Sequence, residues 1–178
     1  FLNAGGGRLR EVGVPAGLEA AGFRHGLGAL FTDVNGDGRP DLYVANDEDP
    51  NDLYVNVAWP GGAAADPAGL GFRLEERGEA EGVADPFAGM GVAAANGSLF
   101  VTNSRGEPSA AYRLRAGRFV NARPEVDRAL GSRFAGWGAT WVDLANSGSP
   151  QLVLAAGAIP VKNLSRDAEA VRVLARNA

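Results

Sequence analysis

Asp33-Val34-Asn35-Gly36-Asp37-Gly38-Arg39-Pro40-Asp41 alternates oxygen-bearing side chains, breaks the alternation at Gly38 and closes on another carboxylate. Hard cations such as Ca²⁺ take about six to eight oxygen ligands at about 2.3–2.6 Å. Side-chain oxygens of Asp33, Asn35, Asp37 and Asp41, with the Arg39 carbonyl, supply such a set. Gly36 and Gly38 permit the positive φ of a tight wrap. Pro40 fixes φ before the last ligand. The competing reading is an acidic, Gly-rich hairpin turn that binds nothing, because Asp, Asn and Gly are ordinary turn residues. Three crowded carboxylates repel one another without a cation, which favours the ion site.

The loop begins like an EF-hand but does not finish as one. That loop needs a bidentate Glu at its twelfth position and a helix on each side. Counting from Asp33, the twelfth residue is Val44. The flanks, Leu30-Phe31-Thr32 and Leu42-Tyr43-Val44, are short and rich in β-branched and aromatic residues. The pattern predicts strand, loop, strand.

Working outward, the motif recurs. Gly26-Leu27-Gly28, Gly89-Met90-Gly91 and Gly136-Trp137-Gly138 each open a strand-like run. A second apolar run follows each: Leu42–Asn46, Leu99–Asn103 and Leu152–Ala156. A further element carries a Gly-x-apolar signature at Gly7-Arg8-Leu9, Gly71-Phe72-Arg73-Leu74 and Gly117-Arg118-Phe119. Ala16-Gly17-Leu18 and Glu81-Gly82-Val83 read as closing loops. The spacing is a loose period near the roughly 40–50 residues of a propeller blade. The expected fold is therefore all-β: about three four-stranded antiparallel blades of a β-propeller. The divisions are the tail of a repeat at 1–25, then repeats 26–88, 89–133 and 134–178. Propellers close with typically four to eight blades, so further blades or self-association are expected to complete the ring. A small β-sandwich is the alternative.

Composition agrees with a folded β domain. The chain has 178 residues, 46% hydrophobic and 21% charged, with 26 Gly and 10 Pro. A net charge of −4 gives no basic surface for nucleic acid. With no Cys and one His, His25, neither a His-based zinc site nor a Ser-His-Asp triad can be assembled from the chain. No apolar run approaches the roughly 18 residues of a membrane span. Phe1 is not a natural start, so any signal peptide is expected to lie before it.

Gly26-Leu27-Gly28, the Asp33–Asp41 loop, Leu42-Tyr43-Val44-Ala45-Asn46 and Leu53-Tyr54-Val55-Asn56 resemble the integrin alpha-type FG-GAP repeat, also called the VCBS repeat. Gly136-Trp137-Gly138 and Phe1–Gly7 resemble the cartilage acidic protein-like branch that often carries an ASPIC/UnbV module. The resemblance spans nearly the whole chain and is most specific in the repeat at 26–88. It implies a propeller, usually seven-bladed, in a secreted, periplasmic or cell-surface protein, with Ca²⁺ in loops between the first two strands of a blade. It further implies adhesion or recognition of a protein or glycan rather than one reaction.

The other two loops depart from the pattern. Ala93–Ser98 is shorter and has no carboxylate, so no ion is expected there. Asp143–Gln151 keeps the length, but Ala145, Ser147 and Gln151 replace Asn35, Asp37 and Asp41. One carboxylate is too little charge for tight Ca²⁺ binding.

Weaker features complete the reading. Val57–Gly71 reads as an insertion carrying Trp59. Trp137 and Trp141 are expected on one strand face, packing between blades or stacking on a sugar. Asn46–Asp52 is expected to be a solvated acidic turn, with a second cation surface as the alternative. Asn96-Gly97-Ser98 and Asn163-Leu164-Ser165 match the glycosylation pattern. Asp167–Asn177 falls, by repeat phase, on a strand. Glu75 and Glu76 are adjacent, so on a strand they face opposite ways and cannot share a substrate. No catalytic constellation is visible, and a non-catalytic binding scaffold is expected. A lectin-like propeller, or the accessory propeller of a larger enzyme, is the alternative.

Overall fold

The computed structural model describes residues 1–158 and 162–175. The chain is mostly β, built from four antiparallel sheets, none of them closed on itself. A two-stranded hairpin, β1 (Leu2–Asn3) and β2 (Leu9–Arg10), comes first, followed by the short helix α1 (Gly13–Ala16) and a 3-10 turn at Leu18–Ala21. The second sheet is a meander of β3 (Gly26–Thr32), β4 (Asp41–Asn46), β5 (Asp52–Ala58) and β6 (Phe72–Glu76). The third repeats it with β7 (Val92–Ala95), β8 (Ser98–Val101), β9 (Ala110–Arg115) and β10 (Arg118–Asn121). Helix α2 (Arg123–Leu130) follows. The last sheet orders β11 (Gly136–Val142), β12 (Gln151–Ala156) and β13 (Arg172–Leu174) side by side.

The Gly-x-Gly pairs set how the sheets meet. In β3 and β11 the register shifts across the pair, leaving Leu27 and Trp137 as extra, bulged residues. The missing Cβ lets the first strands touch: a Cβ on Gly28 would lie 2.0 Å from the Met90 carbonyl oxygen, and one on Gly91 would lie 2.7 Å from the Gly138 Cα. A repeated hydrogen bond stitches the same seam. Gly89 N–H donates to the Asn46 carbonyl at 2.8 Å, and Gly136 N–H donates to the Asn103 carbonyl at 3.2 Å.

Apolar faces fill the two gaps. Tyr43, Leu53 and Val55 of the second sheet pack on Leu99, Val101 and Tyr112 of the third. Phe100 and Ala111, from the opposite face of the third sheet, pack on Leu152 and Leu154 of the last. Alternation along each meandering strand supplies one set of side chains to each neighbour. On the far side of the second sheet, Leu42, Tyr54 and Leu74 are covered by Ala16 and Leu18.

Several details differ from the sequence expectations. Ala93–Ala95 and Ser98 are strand, so the second loop is only the Asn96-Gly97 turn, with φ 50° and 70°. That Asn-Gly pair at positive φ matches a tight two-residue hairpin turn. The insertion starts later than expected, because Val57 and Ala58 still pair with β6. Its conformation is held by Asp66, whose carboxylate accepts N–H bonds from Ala68, Leu70 and Gly71. The bulge puts Trp137 out of step with Trp141: Trp137 is 51% exposed, whereas Trp141 packs into the core with Ala139. Helix α2 was not expected; Pro124 in its first turn suits a helix start. Of the segment 167–177, Arg172–Leu174 is strand and 176–178 lies outside the described residues.

Candidate functional site

The Asp33–Asp41 loop joins β3 to β4. Asp33, at its entrance, accepts three backbone N–H groups: Gly36 at 2.7 Å and Asp37 at 3.1 Å on Oδ1, and Gly38 at 2.8 Å on Oδ2. Gly36 and Gly38 have φ of 81° and 84°, which the wrap around this carboxylate requires. The bond from Gly38 leads those that hold the Asp33 carboxyl below its ordinary value. Asn35 Oδ1 accepts the Asp37 N–H at 2.9 Å. Asp37 Oδ1 accepts the Arg39 N–H at 2.9 Å.

Asp41 plays a different part. It is fully buried, and its two oxygens accept the N–H of Val34 at 3.0 Å and of Asn56 at 2.8 Å. It therefore ties both ends of the loop to β5. Burial pushes its carboxyl above the ordinary value, and the nearby charges of Asp37 and Asp33 push further. Val34, also buried, plugs the loop into the core between the second and third sheets.

Two contributors were missed from sequence. The Arg39 side chain, considered only for its carbonyl, donates Nη2 to Asp37 Oδ2 at 2.6 Å and Nε to the Asn56 carbonyl at 2.8 Å. Asn56 donates Nδ2 to the Pro40 carbonyl at 3.0 Å. Its signal was a buried amide closing the apolar run Leu53-Tyr54-Val55. Arg39 left no comparable signal, because the Asn56 carbonyl that fixes its Nε lies across a tertiary contact.

The residues fit a hard cation by chemistry. Asp33, Asn35, Asp37, Asp41 and the Arg39 carbonyl are all oxygen donors on one short loop, and repulsion on Asp41 is what a cation would offset. The present arrangement spends the side-chain oxygens on N–H groups. Among the described residues no three His, Cys, Asp or Glu side chains are gathered closely enough to hold a metal ion. A cation at Asp37 would compete with the Arg39 guanidinium, which also donates Nε to the Asn56 carbonyl.

The Asp143–Gln151 loop keeps the same frame without the charge. Asp143 accepts Ser147 N–H at 2.9 Å and Gly148 N–H at 2.6 Å. Gln151 Oε1 accepts Leu144 N–H at 2.9 Å, the role Asp41 plays toward Val34. The expected solvated turn at Asn46–Asp52 is solvated in its middle, at Asp47 and Glu48, whereas its ends are buried: Asn46, Asn51 and Asp52 are 1%, 1% and 4% exposed. Only its middle faces water, where Asp49 accepts the N–H of exposed His25 at 3.2 Å and pairs with its ring at 2.9 Å.

No protein-family model and no curated protein matches the chain.

Proposed function

We propose that the chain is a segment of an FG-GAP/VCBS-type β-propeller that binds Ca²⁺ at Asp33–Asp41 and acts as a non-catalytic scaffold for binding or adhesion. The observation that carries the reading is the repeated seam. Asn46 to Gly89 and Asn103 to Gly136 are the same hydrogen bond one sheet apart, with Gly-x-Gly first strands in contact at each step. A step repeated between four-stranded meanders is how propeller blades are arrayed about a channel, first strands innermost. The loop then lies at one end of a blade, where a cation braces a turn. Bound there, Ca²⁺ would supply positive charge to Asp33, Asp37 and Asp41 and steady the β3–β4 connection. A secreted, periplasmic or surface setting suits a site of this kind, and a protein or glycan is the partner such faces take.

Calorimetric titration of Ca²⁺ into chelator-treated protein tests the cation, with Asp37→Ala as control. Saturable binding that the substitution abolishes supports the reading; no heat, or heat unaltered by the substitution, removes it. Electron microscopy of the assembled or longer protein tests the ring.

A further inference from the structure

A groove of about 330 Å³ opens between the β6–β7 connection and the start of α2. It is lined by Glu79, Ala84, Asp85, Tyr112, Asn121 and Arg123. None of these belongs to the cation loop, and the groove's chemistry is fixed by a buried network behind it.

Asp85 is 5% exposed and engages both oxygens, one with Arg123 and the other with Asn103 Nδ2 at 2.8 Å. Arg123 is held three ways: Nη2 on Asp85, Nε on the Ser109 carbonyl at 3.2 Å, and its guanidinium 5.5 Å from the centre of the Phe87 ring. That leaves the Nη1 edge of an immobilised fork for the groove. Asn121 Oδ1 accepts the Arg123 N–H at 2.8 Å, so its Nδ2 remains a donor. The Tyr112 hydroxyl takes no hydrogen-bond partner among the described residues. Burial, with the Asp85 charge behind it, pushes its pKa up to about 12, which keeps it a donor. Glu79, exposed at the rim, is the acceptor, and Ala84 adds apolar wall.

We propose that this groove is a binding site for a neutral saccharide, with Tyr112, Asn121 and Arg123 donating to its hydroxyl oxygens and Glu79 accepting from its hydroxyls. Arg123 is neutralised by Asp85, and Glu79 leaves the groove one negative charge in excess. That charge balance disfavours phosphate, sulfate and carboxylate ligands. Sugar hydroxyls both donate and accept, which matches converging donors beside one acceptor. A small set of fixed polar groups on a partly apolar wall is the usual make-up of a small-ligand site.

The test is NMR titration of the chain with methyl glycosides of glucose, galactose, mannose and N-acetylglucosamine, backed by an array of neutral and charged glycans. Tyr112→Phe and Asn121→Asp each delete one donor while keeping the side chain's shape and, for Asn121, the bond to Arg123 N–H. The expected result is saturable, roughly millimolar binding of at least one neutral glycoside, with shifts at Tyr112 and Asn121. Each variant should weaken it about two- to tenfold, as loss of one hydrogen bond does. Binding should survive both EDTA and Asp37→Ala, so it stands or falls separately from the cation. No neutral glycoside bound, binding indifferent to both variants, or binding confined to sialylated or sulfated glycans would overturn the assignment.

Discussion

Gly91 lies so close to Gly138 that a Cβ on Gly91 would sit 2.7 Å from the Gly138 Cα and 3.0 Å from the Ala139 nitrogen. Both obstacles are backbone, so neither can rotate away. The pair is asymmetric: a Cβ on Gly138 would meet only the Ala155 Cβ, at an ordinary 3.7 Å. Glycine is therefore required at the seam by the approach of the next sheet, and not by a positive φ.

Gly91→Ala should destabilise the chain by about 1–3 kcal/mol, the usual range for overpacking. At this length that lowers Tm by roughly 2–10 °C. Gly138→Ala should leave Tm within about 2 °C of the parent, since its Cβ has room. Equal losses from the two substitutions in thermal melts would contradict the seam as described.

The loop's carboxylates should separate by experiment. Asp41→Ala strips two backbone N–H groups, Val34 and Asn56, of their acceptor in the interior. Even with the relief of removing a carboxyl that burial penalises, the cost should be about 2 kcal/mol. It should persist in EDTA, because the bonds need no ion. Asp37→Ala removes an exposed carboxylate whose partners are Asn35 and Arg39, and should lower the urea midpoint only in the presence of Ca²⁺. Urea melts of both variants, with Ca²⁺ and with EDTA, give the comparison.

The strand pattern could be read along the sequence because its causes are local. Gly-x-Gly starts, apolar runs such as Leu42–Asn46 and turn residues such as Asn96-Gly97 act within a few positions of themselves. The same locality made Asp33 and its wrapping glycines recognisable. What could not be read depends on partners far along the chain. Asp85 meets Arg123 and Asn103 through folding alone, and a single buried carboxylate carries no mark of it. Strict alternation places Trp137 and Trp141 on one face, and one bulged residue separates them. Helix α2 is too short for its period to stand out from loop sequence.

Acid should loosen the Asp143 loop. Its carboxyl is held below the ordinary value of 3.8, first by the Ser147 N–H bond. A folded-state value below the unfolded one adds stability that is fully present above 3.8 and is lost as pH falls through the folded value. Asp41 has the opposite sign, since its raised value favours the protonated form. Asp143→Asn should therefore lower stability at about pH 6 and flatten its decline between about pH 5 and pH 2. Urea midpoints across that range in EDTA measure it, and an unchanged acid slope would remove Asp143 as a contributor.

Asn46 and Asn103 repeat one device in successive sheets. Each donates Nδ2 to a proline carbonyl in the turn that follows, Pro50 and Pro108, both at 2.8 Å. Each also donates to a buried carboxylate, Asp52 at 3.0 Å and Asp85 at 2.8 Å. The last sheet ends its corresponding run with Ala156, which has no side-chain amide to repeat the device. Bonds to charged acceptors contribute about 1.5–3 kcal/mol, so Asn46→Ala and Asn103→Ala should each cost about 2 kcal/mol. A double-mutant cycle of Asn103→Ala with Asp85→Asn should show coupling of at least about 0.5 kcal/mol, because the two share one bond. Strict additivity would mean that Asp85 is held by Arg123 alone, and that Asn103 supports the turn only through Pro108.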